Sequence, residues 1–191
     1  MEFDYDDDKV YFAYSRPYPY SKIYTEIINT ELQIIKQHKS MSKHPEKDLK
    51  VVDSSDRTER MITTKEIFYQ RRLLGKTISG LPVPVVTITS RKHKGLEYRK
   101  RQGICITSRV HPGETNSNFV YDGLLQFLLS NEGVYNILQN YVFKLVPCLN
   151  PDGNVCGNYR SSLAGVDLNR QWIYPNKDIH PVIFKAKEMM A

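Results

Sequence analysis

The stretch that decides the fold is "QGICITSRVHPGETNSNFVYDGLLQFLLS", residues 102–130, which reads as a strand, a loop and a helix in succession. Its apolar run at about 103–108 is typical of a strand. The segment Ser117–Ser130 has apolar residues at helical spacing, and Asn116 or Ser117 can serve as its N-cap. A strand that leads through a short loop into a helix is the repeating unit of an α/β sheet.

The residues after this stretch continue the same pattern. A short helix is predicted at about 132–139, followed by "YVFKLVPCLN", residues 141–150. Its nearly continuous apolar character suits a strand that is covered on both faces. The order strand, loop, helix, strand predicts an α/β domain, in which functional loops follow the carboxyl ends of the strands.

The residues before this stretch contribute further elements. "KVYFAY", residues 9–14, is predicted to be a short strand, and Ser21–His38 a helix with isoleucines near helical spacing. Residues 39–65 are polar and lack a period, which favours a loop or insertion. Two strands around a turn are predicted at about 67–74 and 83–89.

Composition excludes several classes of protein. The chain has 191 residues, of which 40% are hydrophobic and 25% charged, which is ordinary for a globular protein. It contains no apolar run of 18 residues, so membrane insertion is not expected. The acidic N-terminus "MEFDYDDDKV" lacks the apolar region of a secretory signal. The three cysteines, Cys105, Cys148 and Cys156, lack zinc-finger spacing and are interpreted as free buried thiols in a reducing cytoplasm.

The formal charge of +6 is concentrated in "RKHKGLEYRKR", residues 91–101. Such a patch can attract nucleic acid, an acidic membrane or an acidic polypeptide, or it can be a solvated basic loop. No zinc knuckle, RNA-recognition motif or aromatic-interleaved strand accompanies it. Nucleic acid is therefore not expected as a partner.

His111 and Glu114 are candidate metal ligands in the loop "SRVHPGETNSN", residues 108–118. Pro112 biases His111 towards an extended conformation, and Gly113 allows the chain to turn. Two ligands three residues apart on such a turn can bind one cation. The alternative is a loop histidine and a carboxylate that lies near a helix N-terminus, where the helix dipole favours it.

A second candidate stretch is "LNPDGNVCGNYRSSLAGVDLNRQW", residues 149–172. Its "NPDG" is a turn signal after a strand. Arg160 and Arg170 each offer a bidentate fork for a carboxylate, and the amide of Asn169 can add a donor. The alternative is a set of ordinary surface side chains.

Together the two stretches resemble the zinc metallocarboxypeptidases, and most closely the cytosolic carboxypeptidases, which remove glutamates from tubulin tails. The resemblance rests on "HPGETNSN" and "NPDGNVCGNYRSSLAGVDLNRQW", supported by "VYFAYSRPYPYS" and "LLGKTISGLPVPVVTIT". It implies an α/β fold, the front half of a mixed-sheet carboxypeptidase domain at 19–191. Residues 1–18 would be the tail of a β-sandwich N-terminal domain.

The resemblance also implies a role for each candidate residue. His111 and Glu114 would be two of three protein ligands to a catalytic zinc ion, with water in the fourth position. Arg160 would stabilise the oxyanion of the tetrahedral intermediate. Asn169 and Arg170, with Arg160, would bind the substrate, and this pair would clamp its C-terminal carboxylate.

The chain departs from the family pattern in one respect. The family's third zinc ligand is a histidine on a later strand, and its general base is a glutamate further on. None of His38, His44, His93 and His180 has a matching context; His180 leads into a terminal helix that begins near Pro181. We therefore expect a fragment that lacks the third ligand and the general base, and that has little activity in isolation.

The expected function is a cytoplasmic zinc carboxypeptidase that acts on tubulin or other glutamate-rich tails and associates with microtubules or cilia. One alternative is a non-catalytic module that binds acidic tails through Arg160, Asn169, Arg170 and the basic patch. The other is an α/β domain with ordinary loops, which leaves the order of the five candidate residues unexplained.

Overall fold

The computed structural model describes residue 7 and residues 9–91, 100–130 and 132–191. Its strands are β1 Lys50–Asp53, β2 Arg60–Thr63, β3 Ile67–Lys76, β4 Pro82–Ser90, β5 Gln102–Thr107 and β6 Tyr141–Val146. They form one six-stranded sheet in the order β1-β2-β3-β4-β6-β5. β5 and β6 are parallel, and the other neighbouring strands are antiparallel.

Helices cover both faces of this mixed sheet. They are α1 Tyr20–Met41, α2 Pro45–Asp48, α3 Asn116–Ser130, α4 Glu132–Asn140, α5 Pro151–Cys156 and α6 Pro181–Met190, with a short 3-10 helix at Leu168–Arg170. Successive residues of a strand point to opposite faces. In β4, Val86 and Ile88 therefore pack with α1, α3 and α4, whereas Val83 and Val85 pack with α6. The predicted α/β class is confirmed.

The longer predicted elements agree with the structure. The helices predicted at Ser21–His38 and Ser117–Ser130 are α1 and α3, and the strands predicted at 67–74 and 83–89 are β3 and β4. The terminal helix begins at Pro181, as expected. Within the described residues, no helix combines the length and the apolar character needed to cross a bilayer.

Residues 39–65 were predicted to be a loop or an insertion. The prediction of a loop is wrong, because this segment contains α2, β1 and β2, whereas the insertion stays a prediction. The two strands form a hairpin around residues 54–59, where the Ser54 amide donates to the Glu59 carbonyl at 3.0 Å. Each strand has four residues, and all four residues of β1 are exposed. A strand this short and this exposed carries no alternation of apolar and polar residues that a sequence could show.

Two other strand predictions need correction. Residues 9–14 form no strand, and the aromatic side chains of Tyr11 and Phe12 are largely exposed. No neighbouring strand among the described residues offers this segment backbone partners. The last strand ends at Val146 rather than at residue 150, because the chain leaves the sheet there and α5 starts at Pro151. The proposed domain boundary at residue 18 stays a prediction.

The prediction that the three cysteines are free, buried thiols agrees only in part with the structure. All three cysteines are free, but only Cys148 among them is buried, and burial raises the pKa of its thiol to about 12. Cys148 also lies beyond the end of β6.

Residues 92–99 of the basic patch lie outside the described residues. Arg101 is buried, and its guanidinium donates to the carbonyls of Ser90 and Leu138.

Glu31 ties α1 to the sheet through a buried ion-pair network. Its side chain is fully buried, and its Oε1 atom lies 2.7 Å from Arg71 Nε. Its Oε2 atom lies 3.2 Å from Arg60 Nη1, and the Tyr69 hydroxyl donates to Oε1 at 3.3 Å. A buried carboxylate needs these partners, because the loss of its hydration is strongly unfavourable unless ion pairs and hydrogen bonds compensate for it.

We expect Arg71→Met to lower the free energy of unfolding by about 3–5 kcal/mol, because it leaves much of the Glu31 charge buried without compensation. Urea denaturation would measure the change. The matched control is Arg72→Met at the next residue, whose side chain is 58% exposed and lies 3.9 Å from Glu59. This control should cost less than about 1 kcal/mol. Equal losses in the two variants would contradict the assignment.

Candidate functional site

Two loops leave the sheet side by side at the carboxyl ends of β5 and β6. The Ser108 amide donates to the Val146 carbonyl at 2.9 Å, and the Leu149 amide donates to the Ser108 carbonyl at 3.0 Å. These bonds join residues 108–115 to residues 147–150 above one edge of the sheet. Loops at this position commonly build functional sites in α/β proteins.

Two glycines let these loops approach each other closely. The Gly113 amide donates to the Tyr159 carbonyl at 2.7 Å, and a Cβ atom on Gly113 would clash with the Tyr159 ring and backbone. A Cβ atom on Gly153 would clash with the Pro112 ring. Any side chain at either glycine would force the loops apart, so the turn that carries His111 is held against the segment that carries Arg160.

Asn150 links three segments of the site. Its Oδ1 atom accepts a hydrogen bond from the Gly153 amide at 3.0 Å and caps α5. Its Nδ2 atom donates to the carbonyls of Val110 and Ser161, each at 3.3 Å. The sequence "NPDG" therefore starts a helix rather than forming only a turn. Asn and Pro favour both structures, and the donor at Gly153 decides between them.

His111 lies between two carboxylates. Its Nδ1 atom is 3.0 Å from Glu114 Oε1, and its Nε2 atom is 3.0 Å from Asp167 Oδ1. The imidazole is largely buried, whereas the Glu114 side chain is 44% exposed. The Glu114 amide donates to the His111 carbonyl at 3.2 Å, so a tight turn sets the spacing of the pair.

Asp167 connects the candidate residues to one another. Its Oδ1 atom accepts from His111 Nε2 and from the Asn169 amide at 2.8 Å, and its Oδ2 atom accepts from Arg160 Nε at 2.9 Å. Burial alone would raise the pKa of Asp167. The hydrogen bonds from His111 and Asn169 and the Arg160 charge outweigh burial and hold that pKa below its usual value.

Sequence reasoning missed Asp167 as a functional residue. One signal was available: a histidine that ligates a metal normally donates its second N–H to a carboxylate or carbonyl. Asp167 stands directly before the Leu168–Arg170 helix, where a carboxylate also caps the first turn. The pattern indicates a cap, but it gives no reason to connect Asp167 with His111, 56 residues away.

The three candidate substrate residues occupy one exposed segment. Arg160 is 47% exposed at its side chain and is paired with Asp167. The Asn169 side chain accepts from Trp172 Nε1 at 3.1 Å, while its amide binds Asp167. Arg170 is exposed on the same short helix, and within the described part of the chain its guanidinium has no hydrogen-bonding partner. The structure thus brings Arg160 and the Asn169 backbone to His111 and leaves the Arg170 fork available.

The surroundings of His111 fit a bound zinc ion. An imidazole that faces carboxylates with both nitrogens needs a proton on each nitrogen, or a cation in place of one proton. With the Nε2 proton donated to Asp167, the Nδ1 lone pair faces Glu114 Oε1. Histidine nitrogen and glutamate oxygen are donors that zinc takes in proteins.

A complete metal site is not present among these side chains. Within residue 7 and residues 9–91, 100–130 and 132–191, no group of three His, Cys, Asp or Glu side chains is arranged to hold a metal ion. His38 and His44 line a cavity beside the end of α1, and His180 Nδ1 accepts from the Asn176 amide at 3.2 Å. His93 lies outside the described residues.

Comparison with known proteins shows the family of this chain. Residues 54–186 match the family model of the zinc carboxypeptidases, peptidase M14. Cytosolic carboxypeptidase 1 from Xenopus laevis is 37% identical over the full chain, and cytosolic carboxypeptidase 4 from Mus musculus is 39% identical. The chain spans 14% and 15% of the length of these two relatives.

Solved structures show the same fold. A metallo-carboxypeptidase from Burkholderia cenocepacia aligns with 91% of this chain and 38% of its own, with a TM-score of 0.64 and 22% identity. A putative carboxypeptidase A from Shewanella denitrificans OS-217 aligns with 91% of this chain and 36% of its own, with a TM-score of 0.60 and 26% identity. The resemblance inferred from the sequence motifs is confirmed. The chain belongs to the zinc carboxypeptidase family, peptidase M14, and cytosolic carboxypeptidases 1 and 4 are among its relatives.

Proposed function

We propose that the candidate metal ligands and substrate-binding residues described above belong to a zinc-dependent carboxypeptidase. This enzyme would remove glutamates, C-terminal or on side chains, from acidic protein tails such as those of tubulin. The observation that carries the proposal is the position of Asp167, which joins the candidate ligand His111 to the candidate electrophile Arg160. The names of the cytosolic relatives support a cytoplasmic location. Association with microtubules or cilia follows from the proposed substrate.

His111 and Glu114 would hold the zinc ion. When bound, zinc lowers the pKa of a coordinated water to about 7 and polarises a carbonyl group. Asp167 would accept a hydrogen bond from Nε2–H of His111 and thereby favour the tautomer whose unprotonated Nδ1 coordinates the metal. The same hydrogen bond would fix the ring orientation, with Nδ1 3.0 Å from Glu114 Oε1.

Arg160 would stabilise the negative charge that develops on the scissile carbonyl oxygen. Its guanidinium is oriented by Nε and Nη2 contacts of 2.9 Å to Asp167 Oδ2. A donor held in place before the reaction avoids the cost of reorganisation at the transition state. Its half-exposed side chain leaves the remaining N–H groups accessible to substrate.

Asn169 and Arg170 would bind the free C-terminal carboxylate of the substrate. A planar guanidinium matches a carboxylate with two parallel hydrogen bonds. A site built around such a fork disfavours an internal peptide, because that peptide has no free carboxylate to pair with the guanidinium. This requirement accounts for an enzyme that removes residues from chain ends. The formal charge of +6 is consistent with an acidic substrate.

The activity is best tested in a chimera. This chain would replace the matching segment of cytosolic carboxypeptidase 1 from Mus musculus. That segment is 37% identical to this chain over the full length of the chain. Release of glutamate from a peptide that ends in several glutamates would be measured with and without a zinc chelator. Chelator-sensitive release supports the proposal. Peptide binding that survives the chelator, without release, would instead favour the non-catalytic binding module.

His111→Ala and Glu114→Gln are each expected to weaken zinc binding by the chimera at least about tenfold, since the loss of even a residue that hydrogen-bonds to a metal ligand has that effect. Competition with a colorimetric zinc chelator at pH 7 would measure the affinity. His44→Ala, at an exposed histidine outside the site, is the control and should leave the affinity unchanged. Zinc affinities that match wild type in both ligand variants would refute the ligand assignment.

Arg160→Met in the chimera is expected to lower kcat about 10²- to 10³-fold, because it removes a donor to the developing oxyanion. Steady-state kinetics on the glutamate peptide would show this loss with a smaller change in KM. Arg72→Met, at an arginine that is also exposed and ion-paired, is the control. A normal kcat in Arg160→Met would exclude the electrophile role.

Arg170→Met should reduce kcat/KM for the free-acid peptide by about 10-fold or more, because a charge-assisted pair contributes about 1.5–3 kcal/mol. The comparison substrate is the same peptide with an amidated C-terminus, for which wild type and variant should be equally poor. Lys177→Met provides a nearby exposed cation as the control. An unchanged preference for the free carboxylate in Arg170→Met would contradict the clamp.

A further inference from the structure

Arg109 is a buried cation that neither the zinc site nor the carboxylate clamp uses. It is 5% exposed, and its guanidinium donates to three neutral oxygen atoms. Nε donates to the Pro112 carbonyl at 2.6 Å, and Nη1 donates to Asn118 Oδ1 at 2.6 Å and to the Tyr18 carbonyl at 3.0 Å. Burial lowers the pKa of this guanidinium.

The backbone of Arg109 is also constrained. Its φ is +53°, in the left-handed region that residues with a Cβ atom rarely adopt. Its amide donates to the Ser117 hydroxyl at 3.1 Å, and its carbonyl accepts a weak hydrogen bond from the Cys148 thiol. A left-handed residue with a side chain persists where the surrounding contacts determine it, and such residues cluster at functional sites.

The bond from Nε to the Pro112 carbonyl closes a ring across His111. Residues 109 and 112 flank that histidine, so the guanidinium holds both ends of the turn from which the imidazole projects. The bond to Asn118 attaches this ring to the first turn of α3. A lysine cannot reproduce the arrangement, because its ammonium group lacks the planar fork that serves several fixed acceptors.

The bond to the Tyr18 carbonyl extends this connection to the N-terminal segment. The Tyr18 hydroxyl donates to Asp122 on α3 at 2.8 Å, and the hydroxyls of Ser15 and Thr115 lie 2.9 Å apart. Residues 15–18 therefore lie against α3 and the end of the His111 turn. Arg109 is the cation on which the N-terminal segment, the turn and the helix converge.

We infer that Arg109 is a positioning residue that sets the direction of the His111 imidazole by holding the turn at residues 109–112. The inference rests on the zinc site proposed above. Arg109 would thus influence the metal site, although its guanidinium bonds to Pro112, Asn118 and Tyr18 and not to the metal ligands or the substrate-binding residues.

Arg101 provides a matched control. It is 7% exposed, and its Nη1 atom donates to two carbonyls, of Ser90 and Leu138, and to the Thr89 hydroxyl. It precedes β5, at the end of that strand opposite to the His111 loop. Arg101→Lys and Arg109→Lys therefore make the same change in similar surroundings, and only Arg109→Lys disturbs the turn.

The test compares wild type, Arg109→Lys and Arg101→Lys under conditions in which each is folded. The first measurement is the pair of imidazole ¹⁵N chemical shifts of His111 without metal. The second is zinc affinity, measured in the chimera described above. Arg109→Lys should move the His111 shifts and weaken zinc binding about 10- to 100-fold, the range seen when outer partners of metal ligands are lost. Arg101→Lys should change neither.

Unchanged shifts and zinc affinity in Arg109→Lys, or equal changes in both variants, would overturn the inference. Failure of the chimera that carries the unaltered chain to bind zinc would count against the proposed function, whereas the metal-free His111 shifts would still test Arg109. If Arg109→Lys does not fold, the inference is tested on the wild-type chain instead. A scalar coupling through the hydrogen bond from Arg109 Nε to the Pro112 carbonyl carbon should be detected, and its absence would overturn the inference.

Discussion

The parallel pairing of β5 and β6 is the constraint on which the site depends. The register runs from Gln102 opposite Tyr141 to Thr107 opposite Val146, so both strands end at the same level. Parallel neighbours need a long crossover, which α3 and α4 supply. The loop with His111 and the loop that leads to Arg160 consequently emerge together, although the chain between them packs on one face of the sheet.

Above that edge, polar side chains link the segments that carry the candidate residues. Asn150 joins the two loops, Asp167 joins His111 to Arg160, and Arg109 joins the turn to α3. Asp152 accepts from the Thr77 hydroxyl at 2.6 Å and connects α5 to the turn between β3 and β4. Where the groups are buried, as at Asn150 and Arg109, such bonds are strong and costly to break, which favours a rigid arrangement. Rigidity of this kind is what a site needs in order to orient a ligand before it binds.

Long and buried elements could be predicted from the sequence, whereas short and exposed ones could not. The helices α1 and α3 and the strands β3 and β4 are long enough to show a period of hydrophobic residues, and each was predicted within a few residues of its bounds. The hairpin of β1 and β2 was missed because its strands are short, and β1 is exposed. It is held by the Arg60–Asp53 pair within the hairpin, and by pairing with β3 and the Arg60–Glu31 ion pair, which depend on residues elsewhere in the chain. The segment at 9–14 has a strand-like composition but has no neighbouring strand within the described residues, and composition cannot supply one.

The sequence by itself determined the α/β class, the family and the order of His111, Glu114, Arg160, Asn169 and Arg170, because these follow from local periodicity and from short motifs. Only the tertiary structure decided that Asp167 contacts His111, that Tyr159 closes over Gly113 and that Arg109 spans the turn to Tyr18. The physical reason is range. Hydrophobic period and turn chemistry act over a few residues, whereas these contacts join residues up to 91 positions apart. They form only once strand register and helix packing have brought the loops to one edge of the sheet.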